Sequence, residues 1–131
     1  MNISIETSTF KELEPLILLA GKDGMRVHDV PGSVWFCAKV DGEMAGFVSC
    51  YIREKQGKAV FKSDYVQGEY RRRGIYRKLF ETRLDYVKNF KVRKIKASCT
   101  KMSLECFLSY GFKKIESRSR KYTDVLMYVD Y

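Results

Sequence analysis

A cluster of arginines around one glycine is the part of the sequence best suited to chemistry. The run Arg71–Arg73 precedes Gly74, and Arg77 and Lys78 follow it. A strand pattern ends before this cluster and a helical pattern begins after it. The start of a helix leaves backbone N–H groups without partners at the positive end of the helix dipole. Because glycine lets a ligand approach that backbone closely, the cluster predicts a phosphate-binding turn; an ordinary helix start with a solvated basic face is the alternative.

Histidine and cysteine offer little for catalysis. His28 is the only histidine, and the four cysteines, Cys37, Cys50, Cys99 and Cys106, are widely spaced and form no Cys-x-x-Cys pair. Three of the cysteines lie inside apolar runs, which favours buried reduced thiols over disulfides or metal ligands. We therefore expect neither a metal site nor a histidine-based catalytic triad.

Charge is distributed unevenly along the chain. Residues 1–50 carry 4 lysines and arginines against 7 acidic residues, whereas residues 51–131 carry 21 against 9. Such an asymmetry is typical of proteins that meet nucleic acid, an anionic surface or a phosphate-bearing ligand, although a solvated lysine-rich face gives the same composition. Composition does not choose among these partners.

Length and hydropathy predict one domain that covers residues 1–131. Apolar residues make up 45% of the chain and aromatic residues 14%, which is enough for a single core. The longest apolar stretch, near residues 16–20, is too short to span a membrane, and the first residues lack a signal-peptide pattern. We therefore expect a soluble, non-exported, cytoplasmic protein without a membrane partner.

The elements that must position the arginine cluster follow from periodicity. Their predicted order, β-α-β-β-β-α-β-α-β-β, is typical of an α+β layered fold with a mainly antiparallel sheet. Asp41-Gly42 and Gln56-Gly57 predict tight turns between strands, and Gly111 predicts the end of the last helix. The predicted strands cover residues 2–6, 34–40, 44–52, 59–66, 92–99, 112–116 and 122–129, and the predicted helices cover residues 9–20, 73–89 and 101–110.

Two segments resemble motifs of the GNAT acyltransferases. Residues 71–76 resemble that family's acetyl-CoA motif, Arg/Gln-x-x-Gly-x-Gly/Ala, at its first two fixed positions, and residues 66–71 resemble the strand that leads into it. Residues 100–107 with Gly111-Phe112 resemble the family's second motif. The resemblance implies a GNAT fold, in which a mostly antiparallel mixed sheet of six to seven strands is flanked by helices.

The resemblance also implies how acetyl-CoA is bound. The pantetheine arm would lie beside Tyr65–Gln67 with the Val66 N–H on the thioester carbonyl, and the amides that follow Arg71 would hold the pyrophosphate. Tyr76 stands where the family has glycine or alanine, so its ring must lie on the buried side of the helix. Thr100 replaces the family's asparagine beside the pantetheine arm. The implied cofactor-binding residues are Tyr65, Val66, Gln67, Arg71, Arg72, Arg73, Gly74, Ile75, Tyr76, Arg77, Thr100 and Phe107.

The activity implied by the resemblance is transfer of an acetyl group to an amine by direct attack. Phe107 stands where many members carry a tyrosine that protonates the departing thiolate, so Tyr110, one helical turn later, is a candidate acid; a structural tyrosine is the alternative. Asp64, two residues before Val66 and on the same side of the strand, is the only carboxylate there that is available to draw a proton from the amine through water. The acceptor is unidentified, and an acidic one would suit the basic charge.

Two other functions fit the same sequence. The excess of basic residues after residue 50 favours a nucleic-acid-binding or nucleic-acid-modifying protein built on the same scaffold, because the few phosphates of coenzyme A account for only part of it. The departures at Tyr76 and Phe107 are also compatible with a binding module that has lost catalysis.

Overall fold

Seven strands and three helices make up the computed structural model, which describes residues 1–129. The strands form one sheet in the order β1-β2-β3-β4-β5-β7-β6. The strands are Ile3–Ser8 (β1), Val34–Val40 (β2), Glu43–Arg53 (β3), Lys58–Val66 (β4), Lys94–Cys99 (β5), Lys113–Lys114 (β6) and Thr123–Tyr128 (β7), and the helices are Glu14–Lys22 (α1), Ile75–Val87 (α2) and Lys101–Ser109 (α3). The predicted element order and the mixed, mostly antiparallel sheet are confirmed.

Only one neighbouring pair of described strands, β4 and β5, runs parallel. A parallel pair needs a crossover connection, and α2 supplies it. The first predicted turn is also present, because Asp41 (φ 50°) and Gly42 (φ 87°) both adopt the left-handed conformation that a two-residue hairpin turn requires. The chain leaves the central strand β4 at Val66, forms a short 3-10 turn at Gly68–Tyr70 and enters α2 at Ile75. The arginine cluster lies in this connection.

The start of the first helix differs from the prediction. Thr9 and Glu12 do form the expected reciprocal bonds, because the Glu12 N–H donates to the Thr9 hydroxyl (3.1 Å) and that hydroxyl donates to the Glu12 carboxylate (3.1 Å). These bonds close a turn that precedes the helix. Regular α1 begins only at Glu14, because Pro15 has no N–H to donate and is accepted only in the first turn of a helix.

Helices cover the two faces of the sheet unequally. Helix α2 packs with α3 on one face, around an aromatic core that includes Phe61, Phe80 and Phe107. Helix α1 packs on the other face, where its Leu16 lies in a smaller cluster with Trp35. The larger core therefore lies on the face of α2 and α3, and the cofactor motif lies on that same side.

A β-bulge interrupts β4 at Ser63, whose φ of 58° is left-handed. The β3–β4 register moves from Phe47↔Tyr65 to Ser49↔Lys62, so the strand gains one residue at this point. The extra residue turns Asp64 toward α2 and leaves Tyr65 on the face of α1. The bulge therefore decides which side chains of the strand end face the core.

No helix in residues 1–129 is both long and apolar enough to cross a membrane. The four cysteines are free thiols, and three of them are buried, as the apolar runs around them predicted. Burial raises the pKa of Cys37 and of Cys50 to about 11 and also raises the pKa of Cys106. Because the thiolate is the reactive form, these cysteines are poorly suited to act as nucleophiles at neutral pH.

Candidate functional site

The strands β4 and β5 separate toward their C-terminal ends. Their pairing ends at Phe61↔Ala97, although β4 continues to Val66. The Gln67 N–H donates to the Ala45 carbonyl of β3 (2.8 Å), and hydrogen-bonded and non-bonded pairs alternate along an antiparallel ladder. The N–H of Val66 therefore points away from β3, into the opening between β4 and β5, which is where the sequence motif required a donor.

Arg71 fastens the chain at the point where it leaves β4. Its Nε–H donates to the Val66 carbonyl (2.8 Å), and its guanidinium lies 3.8 Å from the Asp23 carboxylate. The side chain of Arg71, the first residue of the motif, is therefore bound to the backbone of Val66 and lies beside Asp23. Its position holds the peptide at Val66 and sets the direction in which the following loop runs.

The loop after Arg71 presents a row of backbone N–H groups without partners. Arg72 (φ 63°) and Gly74 (φ 77°) are both left-handed, and successive N–H groups in such a conformation converge into an anion-binding concavity. Among the described residues, no hydrogen-bond acceptor is in place for the N–H groups of residues 72–77, and the first bond of α2 runs from Lys78 to the Gly74 carbonyl (3.2 Å). The predicted phosphate-binding turn therefore has the required backbone geometry.

Gly74 keeps this concavity open. A Cβ placed at Gly74 would meet no atom within 4 Å, so the space beside its α-carbon is free for a ligand. The side chains of Arg72 and Arg73 are exposed beside the loop, and Arg77 lies at the start of the helix with its guanidinium 3.3 Å from the Tyr110 hydroxyl. Free amides, positive charge and open space together fit a pyrophosphate group.

The ring of Tyr76 points into the protein, as its position in the motif required. It packs edge-on against Phe80 (6.1 Å between centroids), and its hydroxyl donates a short hydrogen bond to Asp64. Burial and then the negative charge of Asp64 raise the pKa of Tyr76 well above its usual value. Tyr76 therefore leaves the surface of the loop free while it anchors the first turn of α2.

Arg83 is the functional residue that sequence reasoning missed. Charged side chains of an amphipathic helix usually face solvent, yet Arg83 is 0% exposed. Its two terminal nitrogens donate to the Asp64 carboxylate (2.5 and 2.8 Å), and one also donates to the Ser49 carbonyl (3.1 Å). The signal was its spacing, because residue 83 follows Tyr76 by seven positions and therefore lies on the same stripe of the helix.

Asp64, Tyr76 and Arg83 form a buried polar cluster, which we call the 64–76–83 cluster. Burial alone would lower the pKa of Arg83, but the adjacent Asp64 carboxylate more than offsets this and raises it. Both oxygens of Asp64 accept hydrogen bonds inside the cluster. The carboxylate of Asp64 faces α2, where Arg83 and Tyr76 hold it, so its role as a base that acts through water stays a prediction.

Phe107 lies in the core and not beside open space. It is 2% exposed, and its ring packs against Phe80 (4.9 Å) and Phe112 (5.0 Å). The implied contact of Phe107 with the cofactor is therefore corrected, because its ring is buried on the inner side of α3. Thr100, in contrast, is exposed at the end of β5, where its hydroxyl lies 3.4 Å from that of Ser103.

Tyr110 lies on the outer side of the contact between α2 and α3. Its ring stacks on Phe80 (4.7 Å, 19°), and its hydroxyl donates to the Glu81 carboxylate (2.5 Å). Burial and the bond to Glu81 raise its pKa, although the bond from Arg77 opposes this. Its role as a catalytic acid stays a prediction, and its visible role is to join the two helices.

A metal has no evident place in this arrangement. Among residues 1–129, no group of three or more histidine, cysteine, aspartate or glutamate side chains could hold a metal ion.

Several solved structures have the same fold as this chain. N-acetylglutamate synthase from Neisseria gonorrhoeae, in complex with coenzyme A and N-acetyl-glutamate, has a TM-score of 0.78 at 14% identity; the match covers 100% of this chain and 36% of that one. PaiA N-acetyltransferase from Thermoplasma acidophilum, in complex with coenzyme A, has a TM-score of 0.79 at 15% identity and coverage of 98% and 100%. At such identities the likeness shows a common fold.

A third similar structure is the ribosomal-protein-S18-alanine N-acetyltransferase of Escherichia coli, with a TM-score of 0.79, 14% identity and coverage of 98% of this chain and 93% of that one. No curated protein sequence matches the chain. The model of the acetyltransferase (GNAT) family matches residues 4–112, which include the split sheet, the amide-lined loop and the second motif. The chain therefore belongs to the GNAT acetyltransferase family, as its motifs indicated.

Proposed function

We propose that this protein transfers the acetyl group of acetyl-CoA to an amine of an acceptor by direct attack. The observation that carries the proposal is the loop of residues 72–77, whose N–H groups have no hydrogen-bond partners among the described residues and converge beside the open space at Gly74. Acetyl-CoA supplies the acetyl group as a thioester. The residues of this chain bind that co-substrate, orient it and stabilise charge on it.

Three groups of residues are suited to hold acetyl-CoA. The amides of residues 72–77 fit the pyrophosphate, with Arg72, Arg73 and Arg77 as the surrounding positive charge. The strand end Tyr65–Gln67 offers backbone groups to the pantetheine arm across the opening between β4 and β5. The exposed hydroxyl of Thr100 offers a further hydrogen bond from the end of β5.

The Val66 N–H is the group best placed to assist the reaction. It faces the opening between the strands, and Arg71 fixes its peptide through the Val66 carbonyl. A fixed N–H that points at a carbonyl oxygen stabilises the negative charge that develops there when an amine attacks. We assign Val66 this role.

Proton transfer is not assigned to Asp64 in this proposal. The amine of the acceptor loses its proton to water, because the Asp64 carboxylate is held by Arg83 and Tyr76. A thiol has a pKa of about 8.5, so a thiolate is a tolerable leaving group even without a dedicated acid. The reaction therefore depends chiefly on binding and on the Val66 N–H.

Two glycines allow a matched test by calorimetric titration with acetyl-CoA. Gly74 (φ 77°) and Gly24 (φ 89°) are both left-handed, and neither would have an atom within 4 Å of an added Cβ. Gly74→Val and Gly24→Val therefore introduce similar backbone strain, but only the first fills the amide-lined concavity. We expect Gly74→Val to weaken acetyl-CoA binding at least tenfold and Gly24→Val to leave it unchanged.

The same titration can contradict the proposal. No binding by the unaltered protein at millimolar acetyl-CoA, or an equal loss in the two variants, would show that residues 72–77 do not form the site. Release of free thiol in the presence of a panel of amines then measures transfer. Binding without thiol release from any amine would support a module that has lost catalysis.

A further inference from the structure

A second surface, distinct from the amide-lined loop, lies on the face of the sheet that carries α1. Helix α1 packs over one end of this face, against residues such as Trp35 and Phe47. Toward the other end, the strands β3, β4, β5 and β7 direct a set of side chains to the same side, and those side chains are half-buried or exposed. They are Tyr51, Arg53, Lys58, Val60, Lys94, Lys96, Leu126 and Tyr128.

Strand register aligns the cations of this face in a row. Arg53 pairs with Lys58, Lys58 pairs with Lys94, and Lys94 pairs with Tyr128, so one row crosses four strands. Neighbouring strands are about 4.8 Å apart, which places like charges close together. Like charges that face one another across strands are destabilising, so a bound polyanion would relieve a repulsion that the folded chain carries.

The cations of this face form no ion pair among the described residues, although acids lie near two parts of it. Burial lowers the pKa of Lys62 and the charge of Asp29 opposes this, and Glu116 and Asp124 line the same depression as Lys58 and Lys96. Lys96 lies in the next row of paired residues, and Lys62 lies in the row after that. In residues 1–129 no carboxylate oxygen lies within 4 Å of the side-chain nitrogens of the five cations, which are Arg53, Lys58, Lys62, Lys94 and Lys96. Asp124 of β7, which lies on the same face of the sheet, accepts a short hydrogen bond from Ser98. We call the five cations together with Tyr51 and Tyr128 the basic sheet face.

Aromatic rings stand among these cations. Tyr128 closes the first row and is 71% exposed, and Arg53 lies over the ring of Tyr51 with its guanidinium carbon 4.5 Å from the centroid. An acidic polypeptide would use the charges of such a face but not an exposed ring. A single-stranded nucleic acid would use both, because its phosphates pair with cations and its bases stack on aromatic rings.

We propose that the basic sheet face binds single-stranded nucleic acid. The face spans four neighbouring strands, which gives room for several unpaired bases on the sheet. The proposal rests on surface charge and exposed rings, so it is independent of the acetyl-CoA site on the other side of the sheet.

Fluorescence anisotropy with labelled 20-nucleotide oligouridylate and oligothymidylate tests the proposal, at salt concentrations from 50 to 200 mM. Each phosphate contact adds about −0.7 to the slope of log affinity against log salt for a single strand. Lys58→Gln/Lys94→Gln should therefore make the slope shallower by about 1.4. The control Lys11→Gln/Lys88→Gln removes the same charge from exposed positions outside the face and should leave the slope unchanged.

Tyr128→Ser separates nucleic acid from an acidic polypeptide. Loss of a stacking ring should weaken oligonucleotide binding about tenfold. Polyglutamate of matched charge is the second probe, and we expect it to bind more weakly and to be insensitive to Tyr128→Ser. Equal binding of polyglutamate would assign the face to an acidic polypeptide and overturn the proposal.

Two other outcomes also overturn the proposal. One is no oligonucleotide binding at 50 mM salt; the other is an equal change of slope in the two double variants, which would indicate diffuse charge. Melting temperatures with and without acetyl-CoA report on the folding and cofactor binding of every variant, and we expect the stabilisation by acetyl-CoA to be the same in all of them.

Discussion

The 64–76–83 cluster and the loop of residues 72–77 are neighbouring polar regions that differ in how far their hydrogen-bonding groups are paired within the protein. In the cluster nearly every polar atom has a partner within the protein; the buried Nε of Arg83 is the exception among its side-chain nitrogens and oxygens in the described structure. In the loop the backbone N–H groups have no partner among residues 1–129. The satisfied region fixes a shape, and the unsatisfied region is left to bind a ligand.

Tyr76 belongs to both regions. Its N–H lies in the open loop, whereas its hydroxyl donates to Asp64 in the closed cluster. The cluster also reaches β3, because Arg83 donates to the backbone carbonyl of Ser49. The hydroxyl of Ser49 in turn donates to the backbone carbonyl of Lys62, next to the bulge. The cluster therefore ties the helix that starts at the loop to the strand end that presents Val66.

Breaking the cluster should have the largest effect on stability. Arg83→Met keeps a long side chain but leaves the Asp64 carboxylate buried without its cation, which costs about 3–5 kcal/mol. We expect this loss in the free energy of unfolding measured with urea at pH 7. Arg77→Met, which removes an exposed arginine from the same helix, should cost far less, because water screens its charge.

The double variant Arg83→Met/Asp64→Leu sharpens this test. Replacing both charges by apolar side chains of similar size removes the unpaired carboxylate, so much of the lost stability should return. If Arg83→Met costs no more than Arg77→Met, then Asp64 is hydrated in the folded protein and the cluster is not closed. Either result tells whether the two polar regions differ as described.

The open loop could be predicted from the sequence, and the closed cluster could not. Arg71–Gly74, the hairpin turn at Asp41-Gly42 and the order of elements all rest on local signals, in which residue type and spacing determine the backbone. The cluster joins Asp64 on a strand to Arg83 on a helix. Local patterns do not report such a pairing, and the rule that arginines lie on the solvated side of a helix pointed the other way.

The bulge at Ser63 set a second limit on prediction. An unbroken strand would place the side chains of residues 62, 64 and 66 on one face of the sheet. Asp64 and Val66 do share a face, as the sequence predicted. Because of the bulge, however, that face is opposite to the one on which Lys62 lies. The residue types around Ser63 do not predict the bulge, because a left-handed φ of 58° is unusual for a residue other than glycine, asparagine or aspartate.

Phe107→Tyr tests the aromatic core beside the cluster and should have an intermediate effect. The Phe107 ring is surrounded by Phe61, Phe80 and Phe112, so an added hydroxyl would be buried without a partner. We expect a loss of about 1–3 kcal/mol in the free energy of unfolding. Phe90→Tyr, at a half-buried position, is the control and should cost less. Unchanged stability together with faster thiol release would instead place residue 107 at the cofactor.

Tyr76→Phe should have the smallest effect, and the effect should depend on pH. The substitution removes the hydroxyl that donates to Asp64 but keeps the ring and the backbone N–H. We expect a loss of about 1 kcal/mol in the free energy of unfolding at pH 8. Acetyl-CoA affinity should stay the same, because the loop uses the amide of residue 76 and not its side chain.

The pH dependence follows from the raised pKa of Tyr76 in the folded protein. Above pH 10 the unfolded tyrosine loses its proton while the folded one keeps it, so the stability of the unaltered protein falls as pH rises, by up to about 1.4 kcal/mol per pH unit from this group. Phenylalanine does not titrate. The difference in stability between the two proteins should therefore shrink between pH 9 and pH 11, since the other tyrosines and cysteines titrate alike in both and cancel. A difference that stays constant over this range would mean that the Tyr76 hydroxyl meets water, and that the closed cluster and the open loop are one hydrated region.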